Sequence, residues 1–305
     1  MIRTLTEQLK VRNGRRHEEY QYLSLINNIL NEGENVCGRN GNTIADFGAA
    51  MHFSLSDGVI PLLTTKKVAW KTCLKELLWF ISGSTDNNKL KKNGVNIWNG
   101  NGSREFLDSR GLQNLVENDL GPVYGHQWRF FNAEYTDCNT NYESKGVDQL
   151  AYVINQLKNP ETRSSRRILM SAWNPCQLDE MALPPCHVLC QFNVIGNKLS
   201  CSLYQRSGDI GLGVPFNIAS YCFLTHLLAH HCGLEAHEFV YYLGNVHIYD
   251  DHTDVLREQI TREPFDFPNV VINCDVKSKI EDYTEKDFNI VEYNHHKRIV
   301  MKMRK

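Results

Sequence analysis

Residues 166–209 read RRILMSAWNPCQLDEMALPPCHVLCQFNVIGNKLSCSLYQRSGD, and this stretch decides the fold. RRILMSAW, CHVLCQFNVI and KLSCSLYQR have the β-favouring composition of strands, and Gly196-Asn197 joins the last two as a hairpin turn. Downstream lie an apolar helix at about 215–232, a strand-like EFVYYLGNVHIY and an acidic, polar helix near 251–262. Upstream, Tyr20, Leu23, Ile26 and Leu30 recur at helical spacing and predict a helix over 17–31. The same period returns in KVAWKTCLKELLWFIS at 67–82 and in Val147, Leu150, Val153, Ile154 and Leu157 within 146–158. Asn40-Gly41 marks a tight turn before the strand FGAAMHFSL. Helices and strands alternate irregularly, so the reading is one α+β domain with a sheet between layers. Residues 1–16, rich in Lys, Arg, Asn and Gly, are expected to form a flexible N-terminal leader to a domain spanning 17–305.

Composition narrows the chemistry. The chain has 305 residues, with 33 Lys+Arg against 35 Asp+Glu and a formal net charge of −2. No cationic excess exists to displace counterions from phosphates, so nucleic acid is not expected as a partner. A few converging arginines still suffice for a small anion. Ten cysteines at irregular spacing are too sparse for a disulfide scaffold. No signal-like apolar run opens the chain, and no stretch approaches the ~18 apolar residues of a membrane span. The expectation is a reduced, soluble, cytoplasmic protein whose sequon at Asn101 stays unglycosylated.

Several motifs carry chemistry. Pro184-Pro185 precedes Cys186 and His187; two prolines fix φ and remove two donors, so the corner aims Cys186 reproducibly. A nucleophilic cysteine also needs a depressed pKa, supplied by nearby positive charge. An arbitrary cysteine is more often a structural thiol, but the corner and nearby arginines favour a nucleophile. Arg206 and Ser207 at a strand end suit a phosphate, whereas Asp209 would repel one and accept an N–H from a second ligand. Arg166, Arg167 and Arg39 are weaker anion candidates, with solvated arginines as their default. Asn217 stands alone at the start of the apolar helix, where a buried amide needs either backbone partners or a donor–acceptor edge such as uracil. His247 and Tyr249, two apart on a strand, project from one face and suit a sugar hydroxyl. Glu76, among Leu74, Leu77 and Trp79, is either buried with a raised pKa or faces water at a helix edge. His226, His230 and His231 lack the glutamate of a zinc protease, and Cys186 with Cys190 lacks a second ligand pair, so no metal is expected.

Taken together, these motifs resemble one family closely, thymidylate synthase. The likeness runs from about residue 18 to the end through GRNGNT, PLLTTKK, ELLWFISGST, IWNGNGSREFLD, DLGPVYGHQWR, RRILMSAWNP, MALPPCH, LSCSLYQRSGDIGLGVPFNIASY, LGNVHIY and REPFDFP. The resemblance implies a large mixed β-sheet flanked by helices and a sheet-to-sheet homodimer. It also implies conversion of dUMP and 5,10-methylenetetrahydrofolate to dTMP and dihydrofolate, with no nicotinamide. By position in PPCH, Cys186 would add to carbon 6 of the pyrimidine, and Glu76 would handle protons at the ring oxygen. Tyr124 and His187 would order nearby water, and Asn217 would read the uracil edge. The phosphate would sit among Arg39, Arg206 and Ser207, with Arg166 and Arg167 donated by the partner subunit, and His247 with Tyr249 would hold the ribose. Ile97, Trp98, Asn101, Leu212, Gly213 and Phe216 would line the folate pocket, with Asp209 on a pterin N–H.

Departures from the family pattern cluster around that site: Lys67, Asn245 and Asn99 stand where Arg, Asp and Asp are usual. The ending Met303-Arg304-Lys305 replaces small apolar residues that fold over bound folate. Two cations against an apolar pocket are costly, so Ala-Val at 304–305 is expected to lower the folate Michaelis constant. Three rivals remain in view. A deoxycytidylate hydroxymethylase would carry Asp where Asn217 stands. A Cys–His hydrolase is disfavoured because neighbouring strand residues point to opposite faces. A non-catalytic RNA- or partner-binding protein should have lost Cys186, Glu76 or an arginine.

Overall fold

The computed structural model describes residues 17–304; the expected leader at 1–16 and the terminal Lys305 lie outside them. The chain opens with helix α1 (Tyr20–Glu32), whose Tyr22, Leu23, Ile26, Ile29 and Leu30 are buried. Strand β1 (Glu34–Gly38) turns through Arg39-Asn40 into the long β2 (Gly41–Ser54). Helix α2 (Trp70–Ile81) follows, then three short helices, α3 (Asn87–Lys92), α4 (Arg104–Ser109) and α5 (Tyr124–Phe130). After α6 (Gln149–Lys158) come β3 (Leu169–Ser171), β4 (His187–Ile195) and β5 (Lys198–Asp209). Helix α7 (Gly213–Cys232) leads to β6 (Glu235–Tyr249) and α8 (Thr253–Gln259), and a small ribbon of β7 (Asn269–Ile272) and β8 (Phe288–Val291) ends the fold.

The main sheet has the order β1-β2-β6-β5-β4-β3. All pairs are antiparallel except β5 with β6, which run parallel. Parallel neighbours need a crossover, and α7 supplies it. The result is a mixed α+β fold with a large mixed sheet and helices packed against it. Register sorts the side chains. Met170, Cys190, Leu203, Tyr241 and Met51 lie side by side across five strands, each no more than 2% exposed. One residue along, Leu189, Tyr204, Tyr242 and Ala50 form the opposite row, with Tyr204 at 42% and Tyr242 at 46% exposure. Alternation of period two therefore sends one row into the core and leaves the other open.

Helix α7 is apolar all round and buried from Ile218 to Ala229, as a helix in the middle of a core must be. Its C-terminus stops at Gly233, whose φ of 67° suits a residue without Cβ. The predicted helices and three of the long strands fall within a few residues of their expected positions, whereas the strand read as FGAAMHFSL starts six residues earlier, at Gly41. Strand RRILMSAW contracts to three residues, losing positions at both ends of the expected 166–173. Helices α3, α4 and α5 had no sequence reading; each is at most seven residues, too short for periodicity to declare itself.

One buried carboxylate fastens α1 to the loop that feeds the cavity described below. Glu19 is 0% exposed, and its two oxygens accept the backbone N–H and hydroxyl of Thr64 at 2.8 and 2.6 Å and those of Thr65 at 2.8 and 2.6 Å. Removing the acceptor would strand four donors in a dry site. Glu19→Ala should lower stability by about 3 kcal/mol or more, and Glu19→Gln by less, as read from urea midpoints at constant m.

Candidate active site

The parallel pair sets the site's position. Because β5 and β6 run the same way, their carboxyl ends lie together, with Ser207 beside Asn245 and Asp209 beside His247. The next turn enters α7, so Leu212, Gly213, Phe216 and Asn217 face the same space. The β1–β2 turn, α2 and the Pro-Pro corner wall off the remainder. Together they enclose a cavity of about 1220 Å³.

Cys186 stands just before β4, half-buried at the cavity wall. Its N–H and that of His187 donate to the Tyr124 hydroxyl at 2.8 and 3.4 Å. Arg206 clamps the corner from the other side: Nε donates to the Pro185 carbonyl and Nη2 to the Pro184 carbonyl, both at 2.9 Å, while the guanidinium lies 5.5 Å from the Trp173 ring. The proline carbonyls thus gain charge-assisted partners, and the thiol is held between a tyrosine and an arginine. Burial pushes the Cys186 thiol up, and the Arg206 charge offsets only part of that rise. The expectation of a depressed thiol pKa is therefore corrected for the ligand-free protein, in which desolvation outweighs one guanidinium.

His187 also faces the cavity, because Cys186 precedes the strand and strand alternation does not separate the two. The argument from opposite faces against a Cys–His pair fails on that point. A different observation disfavours the pair: Nδ1 of His187 is buried without a hydrogen-bond partner, and burial pulls the ring down to about 4. The imidazole is neutral at pH 7, packed 5.0 Å from Tyr124 and 5.3 Å from Tyr221.

Glu76 sits on the buried side of α2 and accepts the Trp98 indole N–H at 2.7 Å. Burial pushes its carboxyl up to about 7 against that hydrogen bond, so it can hold or release a proton near neutrality. On the polar side, Asn217 Oδ1 accepts from Gln205 Nε2 at 2.9 Å, and Gln205 Oε1 accepts from the Tyr241 hydroxyl at 2.5 Å. The sequence reading passed over Gln205 and Tyr241, both at most 2% exposed. Only the neighbouring Arg206 hinted at Gln205.

Arg39, Ser207, His247 and Tyr249 all line the cavity, and the last two rings meet edge to face at 5.3 Å. Ile97, Trp98, Asn101 and Phe216 form a wall elsewhere. Asp209 is partly used by its own turn, since Oδ1 accepts the N–H of Gly211 at 2.9 Å and of Leu212 at 3.3 Å. Lys66, also passed over, is buried in the cavity wall and donates to the Gly211 carbonyl. Desolvation lowers its ammonium to about 8, despite the nearby Asp209 and Glu19 charges. Arg166 and Arg167 are exposed and lie outside this cavity. Among the described residues no cluster of His, Cys, Asp and Glu could hold a metal ion.

A family model for thymidylate synthase matches residues 20–305. The chain belongs to the thymidylate synthase family. It is 53% identical to human thymidylate synthase over 289 residues, covering 94% of this chain and 91% of that protein. It is 52% identical over 288 residues to the thymidylate synthase of human herpesvirus 8 type P, covering 94% and 84%. Against the bifunctional dihydrofolate reductase-thymidylate synthase of Plasmodium berghei, identity is 51% over 288 residues, covering 94% of this chain. The chain spans 48% of that protein and 61% of the bifunctional relative from Paramecium tetraurelia.

The raised thiol has a measurable consequence. Alkylation of Cys186 by iodoacetamide in the ligand-free protein should rise with pH and reach half-maximum above the ordinary thiol value of about 8.5. Arg206→Ala, which removes the offsetting charge, should move that midpoint higher still. A midpoint below 8 followed by peptide mass spectrometry would contradict the balance described.

Proposed function

We propose that the chain converts dUMP to dTMP, taking the carbon unit and the hydride from 5,10-methylenetetrahydrofolate and releasing dihydrofolate. The observation that carries this reading is that Cys186, Arg206 and Asn217, from three separate elements, border one cavity. Cys186 adds through sulfur to carbon 6 of the pyrimidine, so carbon 5 bonds to the methylene carbon; carbon 5 then loses its proton as the folate nitrogen leaves, the hydride adds to the exocyclic methylene, and carbon 6 releases the sulfur. Arg206 and Arg39 hold the phosphate with Ser207. A dianion bound there weakens the Arg206 offset and strips water from the corner, and both changes favour the neutral thiol, so the sulfur gives up its proton as its bond to carbon 6 forms. Glu76, near 7, passes a proton at the ring oxygen through water, and neutral His187 donates or accepts without adding charge. Asn217 reads the uracil edge from a side chain already oriented by Gln205.

The folate wall is apolar on one side and polar at Asp209 and Lys66. A planar heterocycle with an amide tail fits that division, and the volume accommodates two ligands together. The folate supplies the one-carbon unit and the reducing equivalent; the chain's part is to stack, orient and exclude water.

The active form we propose is a homodimer joined sheet to sheet. The open sheet face supports this, because its row through Leu189, Tyr204 and Tyr242, with the two tyrosines 42% and 46% exposed, is too apolar for a solvated surface. Arg166 and Arg167 precede β3 on the same sheet and would enter the partner's phosphate site. All ten cysteines are free thiols, which favours the cytoplasm. No helix among the described residues is long and apolar enough to cross a membrane. The catalytic domain is taken as 17–305.

Mixing the protein with dUMP and methylenetetrahydrofolate should raise the absorbance of dihydrofolate, and Cys186→Ala should abolish it. A dUMP-independent signal would sink the reading. Arg166→Ala should weaken dUMP binding, and mixing it with Cys186→Ala should restore part of the turnover through hybrid dimers. Asn217→Asp should shift preference towards dCMP by about tenfold or more, since an unpaired buried edge costs ~1–3 kcal/mol. Unchanged discrimination would remove Asn217 as the base reader.

A further inference from the structure

The C-terminal segment forms one side of the cavity, through Ile299, Met301, Met303 and Arg304. Its backbone is held where the Lys302 carbonyl meets His252 Nε2 at 2.9 Å. Beyond that point a single side chain makes the polar contacts. Arg304 Nη2 lies 3.1 Å from Asp250 Oδ1 and 2.9 Å from Asp251 Oδ1. Its guanidinium carbon stands 5.6 Å from the centre of the Tyr249 ring. Its Nη1 approaches Gly41, to within 3.5 Å of where a Cβ there would sit. One planar cation therefore touches the end of β6, the acidic turn after it and the β1–β2 turn that carries Arg39.

We propose that Arg304 is an ionic latch: by pairing with Asp250 and Asp251 and lying on Tyr249, it holds the C-terminal segment as a wall of the cavity and positions the Tyr249 ring. The sequence expectation ran the other way, with a basic tail disfavouring closure against an apolar pocket. The guanidinium instead turns its Nη2 to two carboxylates and its plane to an aromatic face, while its Nε stays buried without a partner. Its side chain is 25% exposed and the aspartates 55% and 37%, so the pairs sit within reach of salt. Closure is accordingly adjustable by ionic strength. The expected sign of the Ala-Val replacement reverses: losing Arg304 opens the wall, and folate is held less well. The latch is a property of the chain alone and rests on the proposed activity only for the identity of what the wall covers.

Hydrogen exchange on the ligand-free full chain tests it. At about 0.05 M NaCl, amides of residues 299–304 in Arg304→Ala should exchange on the order of threefold faster than in the unchanged protein. Raising NaCl to about 1 M, where the Debye length falls to about 3 Å, should bring the unchanged protein to the variant's rate and leave the variant unmoved. Arg304→Lys should recover part of the protection, and Asp250→Asn with Asp251→Asn should reproduce its loss. Exchange elsewhere should stay the same, which separates an open latch from general unfolding. In turnover, Arg304→Ala should raise the folate KM roughly threefold and change kcat by less than about twofold. Equal exchange in the two proteins at every salt concentration overturns the latch. Absence of dUMP-dependent turnover with the exchange pattern intact would overturn the activity and leave the latch standing.

Discussion

The parallel pairing of β5 with β6 is the constraint on which the cavity depends. An antiparallel hairpin would have put Arg206 and His247 at opposite ends of the sheet. The crossover through α7 brings the carboxyl ends of both strands, and the start of the helix between them, to one place. That crossover must pass through the core, which is why α7 is apolar on every side and why Asn217 is so conspicuous on it. Burial of its Leu, Ile and Phe residues, each contributing about 1.5–3 kcal/mol, holds the polar end in register with the strands. Stability and site geometry are thus supplied by the same helix.

Within the cavity, desolvation outweighs pairwise charge at most titratable groups. It raises Glu76 to about 7, lowers His187 to about 4 and Lys66 to about 8, and keeps Cys186 a thiol. Burial of that degree favours the neutral form of each group. Arg206 brings a cation into that setting, and two proline carbonyls and a tryptophan face receive it. Its hold on the corner also ties the proposed phosphate grip to the proposed nucleophile, so a shift at one moves the other. The second tier is equally specific: Tyr241 orients Gln205, Gln205 orients Asn217, and Tyr124 fixes the backbone of Cys186.

The two faces of the sheet divide the labour. One row of side chains is sealed under helices, while the row through Tyr204 and Tyr242 is open and apolar. Arg166 and Arg167 are exposed and lie outside the cavity of their own chain.

Much was legible before any coordinates. Long elements announced themselves by period: Tyr20, Leu23, Ile26 and Leu30 for α1, and the Gly196-Asn197 turn for the β4–β5 hairpin. The nucleophile candidate was legible because Pro184-Pro185 restricts the local backbone whatever surrounds it, and local restriction is what a sequence states directly. Short helices α3 to α5, the partners Gln205 and Tyr241, and the burial of Lys66 were not legible, since none leaves a local periodic trace. Nor was the sign of the Cys186 shift, which depends on how many neighbours exclude water, or the fate of Arg304, which depends on two aspartates far away in sequence. The sequence by itself determined which residues could do chemistry and which segments would be helix or strand, because those follow from side-chain type and spacing. Only the tertiary structure decided which of them meet, how dry their meeting place is and which charges face each other, because those quantities belong to contacts between distant segments.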